Sequence, residues 1–185
     1  MRLYRGLFHQ NGNCGYVLKP SYLTDDTLSF QLERETLQKY LKVKIISGQY
    51  LPKVGESEHS IIDPYVTIKI MGHSTDTFSS RTRVVTNNGF NPYWNESFEF
   101  FLRAPELAVI CFTVKDSQRI GASRFVGSYA LPVNCLSPGK QFCQFQTWLL
   151  LLINNWLLKT HRLSTRPVVV GERGTYFFCH YLHPD

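Results

Sequence analysis

The most restrictive feature of this sequence is a two-residue apolar period that recurs from residue 41 to about residue 133. Leu41, Val43 and Ile45 alternate with Lys42 and Lys44, and Val66, Ile68 and Ile70 alternate with Tyr65, Thr67 and Lys69. Trp94, Phe98, Phe100 and Leu102 share one face of a further run, while Asn95, Ser97, Glu99 and Arg103 fall mostly on the other. The stretch from Leu107 to Val114 is almost continuously apolar, as a central strand should be, and Phe125 to Val133 supplies another run that ends near Pro132. Successive side chains of a strand point to opposite faces, so each run presents one apolar and one polar surface. Repeated runs with turn residues between them predict an antiparallel β-sandwich with one packed and one wet face per sheet. No helical period is sustained here, and no internal repeat is present.

The flanks differ from this middle. Residues 1–23 hold the turn signal Asn11-Gly12-Asn13-Cys14-Gly15, the short apolar run Tyr16-Val17-Leu18 and a stop at Pro20. Residues 24–40 are polar and charged with few apolar anchors and read as a linker, with the Asp25-Asp26 pair suited to opening a helical turn. After residue 139 the alternation ends. A Leu-rich run from Trp148 to Leu158 is interrupted by Asn154-Asn155, and a basic stretch follows it. A bilayer-spanning helix needs roughly 20 apolar residues, so the Leu-rich run is too short to cross a membrane.

Charge and cysteine usage narrow the function classes. The 185 residues carry 20 Lys and Arg against 14 Asp and Glu, a formal charge of +6, which allows attraction to phosphate-bearing partners. The excess is spread along the chain and forms no dense cluster. The aromatic residues of the 94–102 run share one face without interleaved basic residues, so they read as core and not as a base-stacking platform, and nucleic acid is not an expected partner. Five cysteines with no Cys-x-x-Cys pair, and Arg2 and Arg5 without an apolar leader segment after them, point to free thiols in a cytosolic setting. Cys111 reads as a small core residue. Cys179-His180-x-x-His183 has metal-ligand residue types but no partner cluster. No Ser/His/Asp order, phosphate-cradling glycine loop or dinucleotide fingerprint is present.

Several blocks, in this order and spacing, carry a family resemblance. Tyr4-Arg-Gly-Leu-Phe8 and Asn11-Gly-Asn-Cys-Gly-Tyr-Val-Leu-Lys-Pro20 resemble the end of the catalytic barrel of eukaryotic phosphoinositide-specific phospholipases C, delta and zeta types in particular. Ile61-Ile-Asp-Pro-Tyr-Val66, Asn87-Asn-Gly-Phe-Asn-Pro-Tyr-Trp-Asn-Glu96 and Pro105-Glu-Leu-Ala-Val-Ile110 resemble the C2 domain that follows that barrel. The resemblance implies an all-β, eight-stranded-type antiparallel C2 sandwich over 41–139. It would be preceded by a TIM-like barrel remnant at 1–23 and a linker at 24–40, and followed by an atypical tail at 140–185. The family pattern stops at Gly139, as though the reading ran on into normally non-coding sequence. The sandwich is therefore expected to lack its last two family strands, with Val168–Val170 or Tyr176–Phe178 as segments that could patch the gap and the Leu-rich run as a cover for the exposed face.

The family would also assign a role. The parent enzyme cleaves phosphatidylinositol 4,5-bisphosphate to diacylglycerol and inositol 1,4,5-trisphosphate, with histidines and calcium-binding carboxylates supplied by earlier barrel strands. His9 and His73 match none of those histidines, so no catalytic residue is expected in this chain. By resemblance, the calcium ligands of the C2 domain map to the Ile61 carbonyl, Asp63, Asn87 and Asp116. Two further ligand positions depart from the pattern, holding Gln118 and Arg124. Calcium takes roughly six to eight oxygens, several of them from carboxylates. Three readings stay open: ordinary calcium binding, a weak or absent site where Arg119 and Arg124 meet anionic headgroups directly, or plain solvated loops. The implied partners are an anionic phospholipid surface and the phospholipase barrel, with a cytoplasmic, membrane-peripheral location. The alternative function is a sandwich that braces the barrel without touching lipid or calcium.

Overall fold

Among the described residues, eight antiparallel strands form two four-stranded sheets, six of the strands coming from the region of apolar alternation. A computed structural model describes residues 6–12, 14–19, 24, 39–55, 61–136, 139–144 and 176–182, the last two segments as backbone. The strands are β1 (Lys39–Gln49), β2 (Pro64–Met71), β3 (Phe78–Arg81), β4 (Tyr93–Leu102), β5 (Val109–Asp116), β6 (Arg124–Pro132), β7 (Gly139–Gln144) and β8 (Tyr176–Leu182). One sheet has the order β4-β1-β8-β7 and the other β3-β2-β5-β6. The all-β sandwich read from the sequence is therefore the observed architecture.

The inward faces are the ones the period marks. Leu41, Val43 and Ile45 of β1 meet Val66, Ile68 and Ile70 of β2 and Ile110, Phe112 and Val114 of β5 in one core. Trp94, Phe100 and Leu102 of β4 are buried, and Phe98 packs against the same cluster. The fully buried Trp94 indole Nε1 donates to the Pro64 carbonyl oxygen at 3.3 Å, so one side chain spans from the first sheet to the second. A buried donor left unpaired costs about 1–3 kcal/mol, which makes this bond a condition of placing tryptophan there. β5 begins at Val109 and not at Leu107, because Leu107 and Ala108 turn back to donate to the Ala104 and Pro105 carbonyls. Cys111 is buried, as its position in that run implies.

The tail corrects one expectation. The sandwich does not end short of its last two strands: residues 139–144 form β7 and residues 176–182 form β8. β8 pairs antiparallel with β1 from Lys42↔Leu182 to Gln49↔Tyr176, and β7 pairs with β8 from Gly139↔Tyr181 to Gln144↔Tyr176. The physical reason is that β4 pairs with one edge of β1 only, and without a second neighbour the N–H and C=O groups of its other edge would lack strand partners. The aromatic run starting at Tyr176 supplies that partner. The Leu-rich run and Val168–Val170 lie outside the described residues, as does most of 24–40.

The N-terminal segment is seated on the sandwich. A short 3-10 turn at Phe8–Asn11 lies beside β6, with the His9 and Tyr129 rings 6.1 Å apart. Gly6 approaches Ala130 so closely that a Cβ at position 6 would come within 2.7 Å of the Ala130 Cβ. On the outer face of the first sheet, Lys42 pairs with Glu99 at 2.8 Å. The Lys42 ammonium, and after it the Tyr40 hydroxyl, hold the Glu99 carboxyl below its ordinary value of 4.5. Stabilisation from this depressed acid is complete above its unfolded-state value and is lost as pH falls through the lower folded-state one. The pair is exposed, so little stability depends on it.

The end of the sandwich away from the β1–β2 loop is fixed by a buried acid. Asp76 accepts from the Arg103 N–H at 3.0 Å and the Ala104 N–H at 2.6 Å, and from the Thr75 hydroxyl at 3.3 Å. Replacing it strands two amides in a buried turn. Asp76→Ala should lower stability by about 2 kcal/mol or more in urea unfolding, and an unchanged midpoint would show that the turn holds without this pin.

Candidate functional site

Strand directions bring three loops together at one end: residues 50–63 between β1 and β2, 82–92 between β3 and β4, and 117–123 between β5 and β6. Proline at position 64 biases Asp63 to an extended backbone and starts β2, where its missing N–H does not interrupt the ladder. Asp116 ends β5 directly across from Pro64, so the two acids become neighbours. Asn87 sits in a turn with φ of 51°, a left-handed conformation that asparagine tolerates better than most residues.

Hydrogen bonds then knot these residues. Asp116, only 5% exposed, accepts the Asp63 N–H through Oδ1 at 2.8 Å and the Gln118 side-chain amide through Oδ2 at 2.6 Å. The Asp63 carboxylate accepts the Asn87 N–H through Oδ1 at 2.7 Å. The Asp63 carbonyl oxygen accepts from Ser117 N–H at 2.9 Å, and the Ile62 carbonyl from Asn88 N–H at 3.2 Å. Leu51 N–H donates to the Gly89 carbonyl and Tyr50 N–H to that of Phe90, tying the first loop to the second. Asp63, Asn87 and Asp116 thus lie together, joined by Gln118, while Ile61 stands at the rim with 60% of its surface exposed.

The arginines divide. Arg119 is exposed at the tip of the 117–123 loop. Arg124 opens β6 opposite Asp116, and its guanidinium Nη1 turns back to donate to the Val54 carbonyl at 3.3 Å. Gly55 makes room for it: the backbone there has φ of 118°, and a Cβ would overlap the Arg124 Nη1. The sequence marks Arg124 as a cation at a ligand position but gives no sign of this fold-back, because its partner lies 70 residues away.

A second feature escaped the sequence reading. Ile120 is 94% exposed at the loop tip, between Arg119 and Gly121, and Ile61, Phe90 and Tyr50 are exposed at the same end. Tyr50 and Phe90 meet edge to face with centroids 4.7 Å apart. The available signal was the presence of large apolar residues within loops, outside any alternating run. Single exposed apolar residues are ordinary, and a group of them at one end of a sandwich is less so.

As a calcium site the donor set is poor. Among the described residues no group of three His, Cys, Asp or Glu side chains could hold a metal. Three of the four oxygens of Asp63 and Asp116 already accept N–H groups of the chain, and an arginine lies across from Asp116. The described residues do not fit the carboxylate-rich coordination that calcium requires.

This sandwich, with exposed apolar residues and loop acids at one end, corresponds to a known class: the model of the C2 domain family matches residues 39–148, and the chain belongs to that family. Its C2 region resembles that of phospholipases C of the delta type. Over 145 residues, 75% of this chain, it is 44% identical to human 1-phosphatidylinositol 4,5-bisphosphate phosphodiesterase delta-1. It is 42% identical over 146 residues, again 75% of the chain, to human inactive phospholipase C-like protein 1. The chain spans about a fifth of the first relative (19%) and 13% of the second. Among solved structures, PLC21 of L. pealei aligns with a TM-score of 0.68 and 26% identity, covering 93% of this chain and 20% of that one. No helix among the described residues is long and apolar enough to cross a membrane.

The Arg124 fold-back is open to direct test. Gly55→Ala forces a residue with a side chain into a left-handed backbone and displaces the guanidinium. It should cost ~1 kcal/mol or more in chemical denaturation and speed amide exchange at Leu51, and wild-type behaviour in both would show that the contact holds nothing.

Proposed function

We propose that this chain supplies the membrane-docking C2 domain of a phosphoinositide-specific phospholipase C, as its C-terminal part. Residues 1–23 would be the end of the catalytic barrel and 24–40 the linker, with the C2 domain from 41 to 139 and a tail from 140 to 185 that lends the sandwich most of β7 and all of β8. The parent enzyme would hydrolyse phosphatidylinositol 4,5-bisphosphate to inositol 1,4,5-trisphosphate and diacylglycerol at the cytoplasmic face of a membrane, with calcium at its catalytic centre. In this chain His73 accepts the Thr75 N–H in a surface turn, a structural role. Two relatives, one named as a phosphodiesterase and one as inactive, match this region almost equally well. That is what a region carrying docking, and not chemistry, would do.

The observation that carries the reading is the loop end, where Ile120, Ile61, Phe90 and Tyr50 are exposed beside Arg119 and Arg124. Apolar side chains at such a tip gain by leaving water for the acyl boundary, and a basic residue near an anionic surface contributes ~1 kcal/mol. Arg119, with no fold-back contact of its own, is the principal headgroup contact. Arg124 contributes through the guanidinium donors not turned toward Val54. A second role has support from the seating of Gly6 against Ala130, which suits a sandwich that also braces the barrel.

Co-sedimentation with vesicles of phosphatidylserine and phosphatidylcholine tests the docking. Arg119→Glu should weaken binding by about fivefold or more, and Ile120→Ser by a comparable factor that persists at high salt. Binding unaffected by both changes, or absent in the unaltered chain, would leave the bracing role alone.

A further inference from the structure

We infer that the loop end of this sandwich is organised without calcium, the Gln118 amide and the Arg124 guanidinium doing from within the chain what a bound cation would do. The lipid arm of the inference rests on the docking role above; the structural arm does not.

Two acids side by side repel, and the usual remedies are a cation or a full set of hydrogen-bond donors. Here the donors are present. Asp116 is buried, and each of its oxygens accepts an N–H, one from Asp63 and the other from Gln118 Nε2 at 2.6 Å. Next to a carboxylate, an amide gains only by presenting its NH2 group, so Gln118 acts as a donor and not as an oxygen ligand. A carboxylate at 118 would reverse this, placing a third negative charge beside Asp116. Asp63 is held through Oδ1 by the Asn87 N–H, which also fixes the second loop.

Arg124 acts on the first loop. It is the cross-strand partner of Asp116, and cross-strand partners stand roughly 4.5–5.5 Å apart. The same guanidinium ties the 50–55 loop to β6 through Val54, with Gly55 shaped to admit it. All three loops are thus connected through N–H donors of the chain. Such a domain does not read a calcium signal: it arrives at a membrane already assembled.

The test uses the full 185-residue chain with excess calcium chloride and, separately, with chelator. The thermal midpoint of the unaltered chain should be the same in both conditions, and so should its co-sedimentation with phosphatidylserine vesicles. Q118D/R124N, which adds a carboxylate and removes the guanidinium, should be destabilised in chelator and recover by at least about 5 °C at saturating calcium. Q118L removes the donor without adding charge and should lower the midpoint equally in both conditions. A calcium-dependent rise in the midpoint of the unaltered chain would overturn the inference. So would a Q118L midpoint equal to that of the unaltered chain, and this variant decides the matter should the double variant not fold. Midpoints that behave as expected, with no chain sedimenting on vesicles, would remove the docking role and leave the calcium-free loop end standing.

Discussion

The Trp94 indole crosses the sandwich and donates to the carbonyl of Pro64, the residue that follows Asp63 and pairs with Asp116. The core and the loop end are therefore one mechanical unit. Burial of the aromatic side chain sets the spacing of the sheets, and the bond it needs when buried fixes the start of β2. The Pro64 carbonyl also accepts the Val85 N–H, which anchors the approach to the second loop. Once Pro64 is placed, Asp63 has little freedom, and the Asp63–Asp116 contact follows from strand register without any ligand to draw the loops together.

The strands were legible in the sequence because burial in a sandwich imposes a strict period of two, and Leu41, Val43, Ile45 and the 66–70 run keep it without exception. The tail was less legible. Lys140-Gln-Phe-Cys-Gln144 alternates weakly, and nothing local says that β1 has an open edge for a strand more than 130 residues later to fill. Tyr176–Phe178 could be recognised as strand material, but its place beside β1 comes from the whole sheet.

At the loop end, residue identity gave the members of the cluster but not their roles. Asp63, Asn87 and Asp116 lie together as the family pattern implies. Gln118 was legible as a missing acid, yet whether it offers an oxygen or an N–H depends on which groups Asp116 has left to satisfy. Arg124 was legible as a charge and not as a tether, since that role requires Gly55 in a left-handed backbone on a distant loop. The exposed Ile120 went unremarked because one isoleucine in a loop is unexceptional until the fold places Ile61, Phe90 and Tyr50 at the same end.

That grouping of Ile120 between two arginines has a kinetic meaning under the proposed docking. Arginine charge acts over about a Debye length, roughly 8–10 Å at moderate salt, so Arg119 and Arg124 govern how often the tip meets an anionic surface. The isoleucine side chain acts only on contact and governs how long the tip stays. Arrival and residence are thus set by residues of one short loop and the strand it leads into, and ionic strength reaches the first while leaving the second nearly untouched.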